Sequence, residues 1–159
     1  MPLPPYIKRE PEEIDNKRYQ TVYARSPGAI ASPTAGLHFT RHLLEEIKNK
    51  GVETAYITLH VGVATFTAVR REDVTSHRME AEEFSVSGRT INSLRRAKES
   101  GRRVVAVGTT TARTLETLAD LITSFPCQRP PHKMPRAAGR AQIGWTDLFI
   151  YPGYKFNVI

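Results

Sequence analysis

The sequence predicts an α/β fold, layered, with a mixed and largely parallel sheet flanked by helices, and three observations carry that expectation. Two helical patterns, beginning near Thr40 and Gly88, each close at a glycine, Gly51 and Gly101, and each lead into a β-rich run, 52–61 and 104–107. The second run feeds through Gly108-Thr109-Thr110 into a third helical pattern. Strands alternating with helices are what a parallel sheet covered by helices requires.

Taken in order, residues 1–18 are proline-rich and then charged, with too little apolar periodicity for a core element, and read as a linker or the edge of something missing. Residues 19–24 alternate as a short strand does, stopped by Ser26-Pro27-Gly28. Thr40 is placed to cap a helix with Leu43, Leu44 and Ile47 on one face. The helix from Gly88 carries Ile91, Leu94 and Ala97 on its apolar face, and Val104-Val105-Ala106-Val107 suits a strand buried on both sides. Leu115, Leu118, Leu121 and Ile122 mark the third helix. Residues 121–140 hold four prolines and four basic residues with no acidic one, which is a solvated loop. Two further strands, 146–151 and 154–159, are expected around a turn at Pro152-Gly153.

A length of 159 residues and 40% hydrophobic content suit one domain with one core. No run approaches the roughly 18 apolar residues of a membrane span, and the first residues lack a signal pattern, so the cytoplasm is the expected location. Cys127, alone, forms neither a disulfide framework nor a cysteine-based zinc site. A net charge of +7 favours polyanionic partners such as nucleic acid.

Five segments hold residues that could carry chemistry. Gly108-Thr109-Thr110-Thr111 opens a helix, where free backbone N–H groups and the helix dipole favour an anion, and Arg113, one turn in, is suited to clamp a carboxylate or phosphate. The plain alternative is a glycine in a tight turn with threonine caps. Pro33-Thr34-Ala35-Gly36-Leu37-His38-Phe39 admits a ligand closely and supplies a histidine that titrates near neutrality, or else His38 merely packs beside the next helix. His60-Val61-Gly62 follows a strand, with His60 at its carboxyl end either in a shared pocket or in the core. In His77-Arg78-Met79-Glu80-Ala81-Glu82 the spacing matches no metal site, and Glu82 is the residue to face a substrate. Asp147, among Trp145, Phe149, Tyr151 and Tyr154, is suited to accept hydrogen bonds from the edge of a stacked base, whereas Trp145 and Phe149 are read first as strand residues packing in a core. The pairs Arg70-Arg71, Arg95-Arg96 and Arg102-Arg103 are solvated faces or phosphate contacts.

In order, Pro4-Pro5-Tyr6-Ile7, Arg18-Tyr19-Gln20-Thr21-Val22-Tyr23-Ala24, the 33–39 segment, Leu59-His60-Val61-Gly62, Thr65-Phe66, His77, Met79, Glu82, the 108–116 segment and Thr146-Asp147-Leu148-Phe149-Ile150-Tyr151-Pro152-Gly153-Tyr154 resemble the S-adenosylmethionine:tRNA ribosyltransferase-isomerase family of queuosine biosynthesis. Ala64 and Glu80 depart from its usual glycine and histidine. The resemblance implies the central and later part of such an enzyme, the small β-barrel region mostly missing. Residues 19–159 would then form an α/β catalytic domain cut short at its C-terminal end, with a mobile loop near 124–140.

The implied reaction moves and isomerises the ribosyl part of S-adenosylmethionine onto the 7-aminomethyl-7-deazaguanine wobble base of tRNA. It gives epoxyqueuosine-tRNA, adenine and methionine. No cofactor is implied, since S-adenosylmethionine is consumed as substrate; the partners are that molecule and the tRNA anticodon loop, and a monomer is expected. His38 and His60 become candidate catalytic bases. Thr34, Gly36, Gly108, Thr109, Thr110, Arg113, Glu82 and Asp147 become candidate substrate contacts. The competing readings are a non-catalytic tRNA-binding fragment of the same enzyme and a generic nucleotide-phosphate-binding α/β domain.

Overall fold

The computed structural model of the chain describes residues 3, 7–62, 74, 77, 79–124 and 140–159. Its elements are helix α1 (Asp15–Arg18), a 3₁₀ turn (Thr34–His38), α2 (Arg41–Asn49), β1 (Ile57–Leu59), β2 (Glu82–Val86), α3 (Gly88–Glu99), α4 (Thr109–Thr117), α5 (Ala119–Thr123) and β3 (Gln142–Thr146).

The sheet among these residues is antiparallel, in the order β1-β2-β3, which corrects the largely parallel sheet expected from the alternation of patterns. The reason lies in β2. Its run Glu82-Glu83-Phe84-Ser85-Val86 opens with two carboxylates and reads as a polar turn, yet it is the central strand, with Glu82, Phe84 and Val86 buried. Phe84 and Val86 pack with Ile91 of α3 and with Ile57, Leu59, Leu118 and Leu121. A second cluster joins Leu94, Leu115, Ile122 and Val158. Gly144 stands opposite Phe84 in register, and a Cβ there would lie 2.9 Å from Phe84 Cζ, so the ring occupies the space a side chain would need.

Both capped helices form as their sequences dictate. The Thr40 side chain accepts from the Leu43 N–H at 3.0 Å, and Ser87 does the same for Thr90 at 3.1 Å. Gly51 and Gly101 follow with φ of 78° and 64°, the left-handed turn that ends each helix without a Cβ penalty. The third helical pattern breaks in two at Leu118, whose N–H is shared between the Thr114 and Leu115 carbonyls.

Five expected strands are shorter, displaced or absent, each for a local reason. In 19–24 the Gln20 side chain accepts the Thr21 N–H and the Thr21 carbonyl accepts from Ala24, which closes a turn. Of 52–61 only Ile57–Leu59 finds a partner, although pairing continues through His60 N–H to Glu83 and Ile30 N–H to Val61. In 104–107, Val104 and Ala106 pack on the core while Val105 is 80% exposed, so the run is half-buried and joins no ladder. At the C-terminal side, β3 ends where the expected strand begins, and the N–H groups of Asn157, Val158 and Ile159 are taken by the buried Glu116 carboxylate instead of a neighbouring strand. The turn at Pro152-Gly153 forms as expected, with Tyr154 N–H on the Tyr151 carbonyl.

Within 1–18, α1 is held by Asp15, which caps the Glu12 N–H and pairs with Arg9 at 2.6 Å. Leu121, Ile122 and Thr123 belong to α5 rather than to a loop. The rest of the expected mobile loop from 125 to 139, with Ala64, Thr65-Phe66 and Arg70-Arg71, lies outside the described residues.

Candidate active site

Three segments far apart in sequence converge beside the sheet. The 3₁₀ turn brings Ala35 against the start of α4, so that a Cβ on Gly108 would lie 3.5 Å from Ala35 Cβ. Gly108 has φ of 86° and supplies no side chain, and no side chain caps α4, whereas Thr40 and Ser87 cap α2 and α3. The first-turn N–H groups of α4 therefore face the 33–39 segment with the positive end of the helix dipole behind them. Gly36 is buried for a different reason: a Cβ there would run into the Tyr23 hydroxyl, with Thr21 Cγ2 2.8 Å away. Thr34 and Thr109 are exposed and Thr110 is half-buried.

At one end of the sheet the inner face turns polar. Glu82 and Thr146 stand opposite each other in register and both are buried. Arg113, reaching in from α4, donates through Nη1 to Glu82 Oε2, through Nη2 to the Thr146 carbonyl at 3.2 Å and through Nε to the Leu148 carbonyl at 2.7 Å. Glu82 Oε1 accepts the Gly62 N–H at 2.9 Å. The Thr117 and Thr146 hydroxyls meet at 2.6 Å. A buried guanidinium with a carboxylate and two carbonyls as acceptors compensates much of its desolvation inside the protein. Arg113 and Glu82, read from sequence as substrate contacts, are thus placed together and engaged with each other.

The remaining candidates are spread around this network. Asp147 is exposed, between the two residues whose carbonyls Arg113 holds. His60 directly follows β1, as expected, and packs its ring on Gly28, where a Cβ would lie 2.8 Å from Nδ1. His38, at the last position of the 3₁₀ turn, is exposed, and no hydrogen bond or ring contact joins it to His60. His77 meets the Phe149 ring edge-on at 4.7 Å. Trp145 is 65% exposed, so it does not sit in the core.

Beside the 33–39 segment opens a cleft of about 640 Å³, large enough for a nucleoside-sized ligand. Pro33, Thr110 and Thr111 lie on its wall with Tyr23, Tyr56, Arg25 and Arg41. None of these last four was picked out from sequence, although Tyr23 stands inside a motif that carries the family resemblance.

The whole chain, residues 1–159, matches the family described as Queuosine biosynthesis protein. The chain belongs to this family. Among its relatives, the S-adenosylmethionine:tRNA ribosyltransferase-isomerase of Macrococcus caseolyticus is 52% identical over 100% of this chain and 42% of its own length. The one from Francisella tularensis subsp. novicida is 50% identical over 100% of this chain and 43% of its own length. The crystal structure of an S-adenosylmethionine tRNA ribosyltransferase from Thermotoga maritima aligns with a TM-score of 0.51 at 38% identity, over 79% of this chain and 33% of that one. The chain thus spans about two-fifths of the length of these curated relatives. No helix among its described residues is long and apolar enough to cross a membrane.

Proposed function

We propose that the chain supplies part of the site at which the ribosyl group of S-adenosylmethionine is transferred to, and isomerised on, the 7-aminomethyl-7-deazaguanine wobble base of tRNA. The products are epoxyqueuosine-tRNA, adenine and methionine. The observation that carries this reading is the meeting of the 33–39 turn with the uncapped start of α4, because it joins two of the segments that carry the family resemblance at one anion-favouring spot.

In this reading the methionine carboxylate lies on the N–H groups at Gly108, Thr109 and Thr110, while Thr34 and Gly36 shape the opposite wall. The adjacent sulfonium acidifies the ribose C–H, and His38 or His60 removes that proton. Asp147 accepts hydrogen bonds from the edge of the wobble base, which anticodon loops present unpaired. Glu82 and Arg113 act by holding the 60–62 and 146–148 segments in place.

The test is adenine release, followed by chromatography, from S-adenosylmethionine and tRNA bearing the aminomethyl base. The longest reading frame containing this chain is the enzyme to use. Release that requires the modified tRNA supports the reading; none from that product would end it. Undiminished single-turnover transfer after replacing both His38 and His60 would remove the histidine base alone.

A further inference from the structure

The reaction reading leaves part of the cleft wall unused, and its chemistry differs from that of the α4 start. Tyr23 and Tyr56 stand with ring centroids 5.4 Å apart and planes at 48°. Burial raises the Tyr23 hydroxyl pKa, and that hydroxyl is lodged against Gly36, so its ring is fixed to the 33–39 turn. Tyr56 is 46% exposed and offers ring surface to the cleft. Arg25 and Arg41 are exposed on the same cleft, and neither has an ion pair among the described residues. Glu45, also on the wall, is the acidic group beside them, and it does not pair with Arg41 one turn earlier.

Aromatic rings next to unpaired guanidiniums suit a base with its phosphate. S-adenosylmethionine fits this part of the wall poorly: it carries no phosphate, and its sulfonium is a cation that two guanidiniums repel. An RNA strand has a phosphate at every nucleotide and flat bases to stack.

We propose that the part of the cleft wall lined by Tyr23, Tyr56, Arg25 and Arg41 is a subsite for an RNA nucleotide flanking the one that reacts, its base on Tyr56 and its phosphates on the two arginines. This rests on the tRNA reading above for the identity of the strand, and the cleft gives that strand a path past the 33–39 turn.

The experiment measures binding of a fluorescently labelled anticodon stem-loop RNA to the full chain across a salt series, with S-adenosylmethionine titrated separately. Arg25→Ala combined with Arg41→Ala is expected to weaken RNA binding about tenfold or more and to lower the slope of log affinity against log salt by roughly one to two. Tyr56→Ala is expected to cost roughly 5- to 100-fold, and Tyr56→Phe to restore most of it, since stacking needs the ring and not the hydroxyl. Circular dichroism of each variant confirms that it folds. Unchanged RNA affinity and salt slope in the arginine variants would overturn the subsite, as would an unaltered chain that binds no RNA at any salt. Loss of S-adenosylmethionine affinity instead would hand the cleft to that ligand and overturn it too. Adenine release is read independently: variants that lose RNA affinity beside a full-length product that releases no adenine would keep the subsite and sink the reaction.

Discussion

Replacing Arg113 by alanine removes a guanidinium that donates to Glu82, Thr146 and Leu148, and it takes the Arg113 cation away from the Glu82 carboxylate, whose side chain is 2% exposed. Breaking a buried pair in this way costs about 3–5 kcal/mol, because the remaining charge keeps its desolvation penalty and loses part of its compensation. For a domain of this size each kcal/mol shifts Tm by about 2–4 °C, so a fall on the order of 10 °C is expected. Urea unfolding followed by circular dichroism measures the loss. A cycle of Glu82→Gln, Arg113→Met and the double variant isolates the pair, with an expected coupling of about 1–3 kcal/mol. Amide exchange at Gly62 should quicken in Glu82→Ala, since Glu82 accepts its N–H. A cost under about 1 kcal/mol for Arg113→Ala, the range of exposed pairs, or a coupling near zero would refute the argument that this network braces the site.

Three other outcomes follow from particular contacts. Gly36→Ala should destabilise by about 1–3 kcal/mol through overpacking against Tyr23, and Tyr23→Phe, which removes the obstructing oxygen, should recover part of the loss in thermal melts. Glu116→Ala leaves the N–H groups of Asn157, Val158 and Ile159 without their carboxylate and should cost about 3 kcal/mol or more, with faster amide exchange confined to 157–159 as its signature. The Arg9 guanidinium and the Glu12 N–H hold the Asp15 carboxyl down at about 2, below its unfolded value, so this contribution is present above pH 4 and is lost as pH falls toward 2. Asp15→Asn should flatten that acid limb of the stability curve, and an unchanged limb would remove Asp15 from it.

Local signals were legible where the backbone itself carries them. Thr40 and Gly51 bound a helix, as Gly101 ends the next, because a cap and a left-handed turn are short-range events. The family was legible because its motifs sit in order along the chain. Strand direction and pairing were not, since both depend on partners distant in sequence. Glu82 shows this most clearly: a carboxylate at the head of a run argues for solvent, and partners distant in sequence, Arg113 31 positions on and the Gly62 N–H 20 positions back, help make its burial tolerable. The final segment repeats the lesson, because the backbone N–H groups of Asn157, Val158 and Ile159 are taken by the Glu116 carboxylate, which no periodicity announces.

The same distant partners explain why the candidate residues had to be sorted by structure. Asp147 and Arg113 look alike in sequence, two charged residues in motifs of one resemblance, yet one is exposed and the other is closed on three acceptors. A charge that must meet a substrate has to keep donors or acceptors open, whereas a buried charge already neutralised within the fold does its work by holding what lies beside it. Arg113 holds the carbonyls on either side of Asp147, and Glu82 holds Gly62, two residues beyond His60. The pair therefore ties a candidate base and a candidate base-reading carboxylate to one helix, the helix whose uncapped start faces the 33–39 turn. A loss of activity in an Arg113 variant would then reach the chemistry through displaced partners, and it should raise KM for tRNA together with a fall in kcat, rather than abolish the binding of S-adenosylmethionine alone.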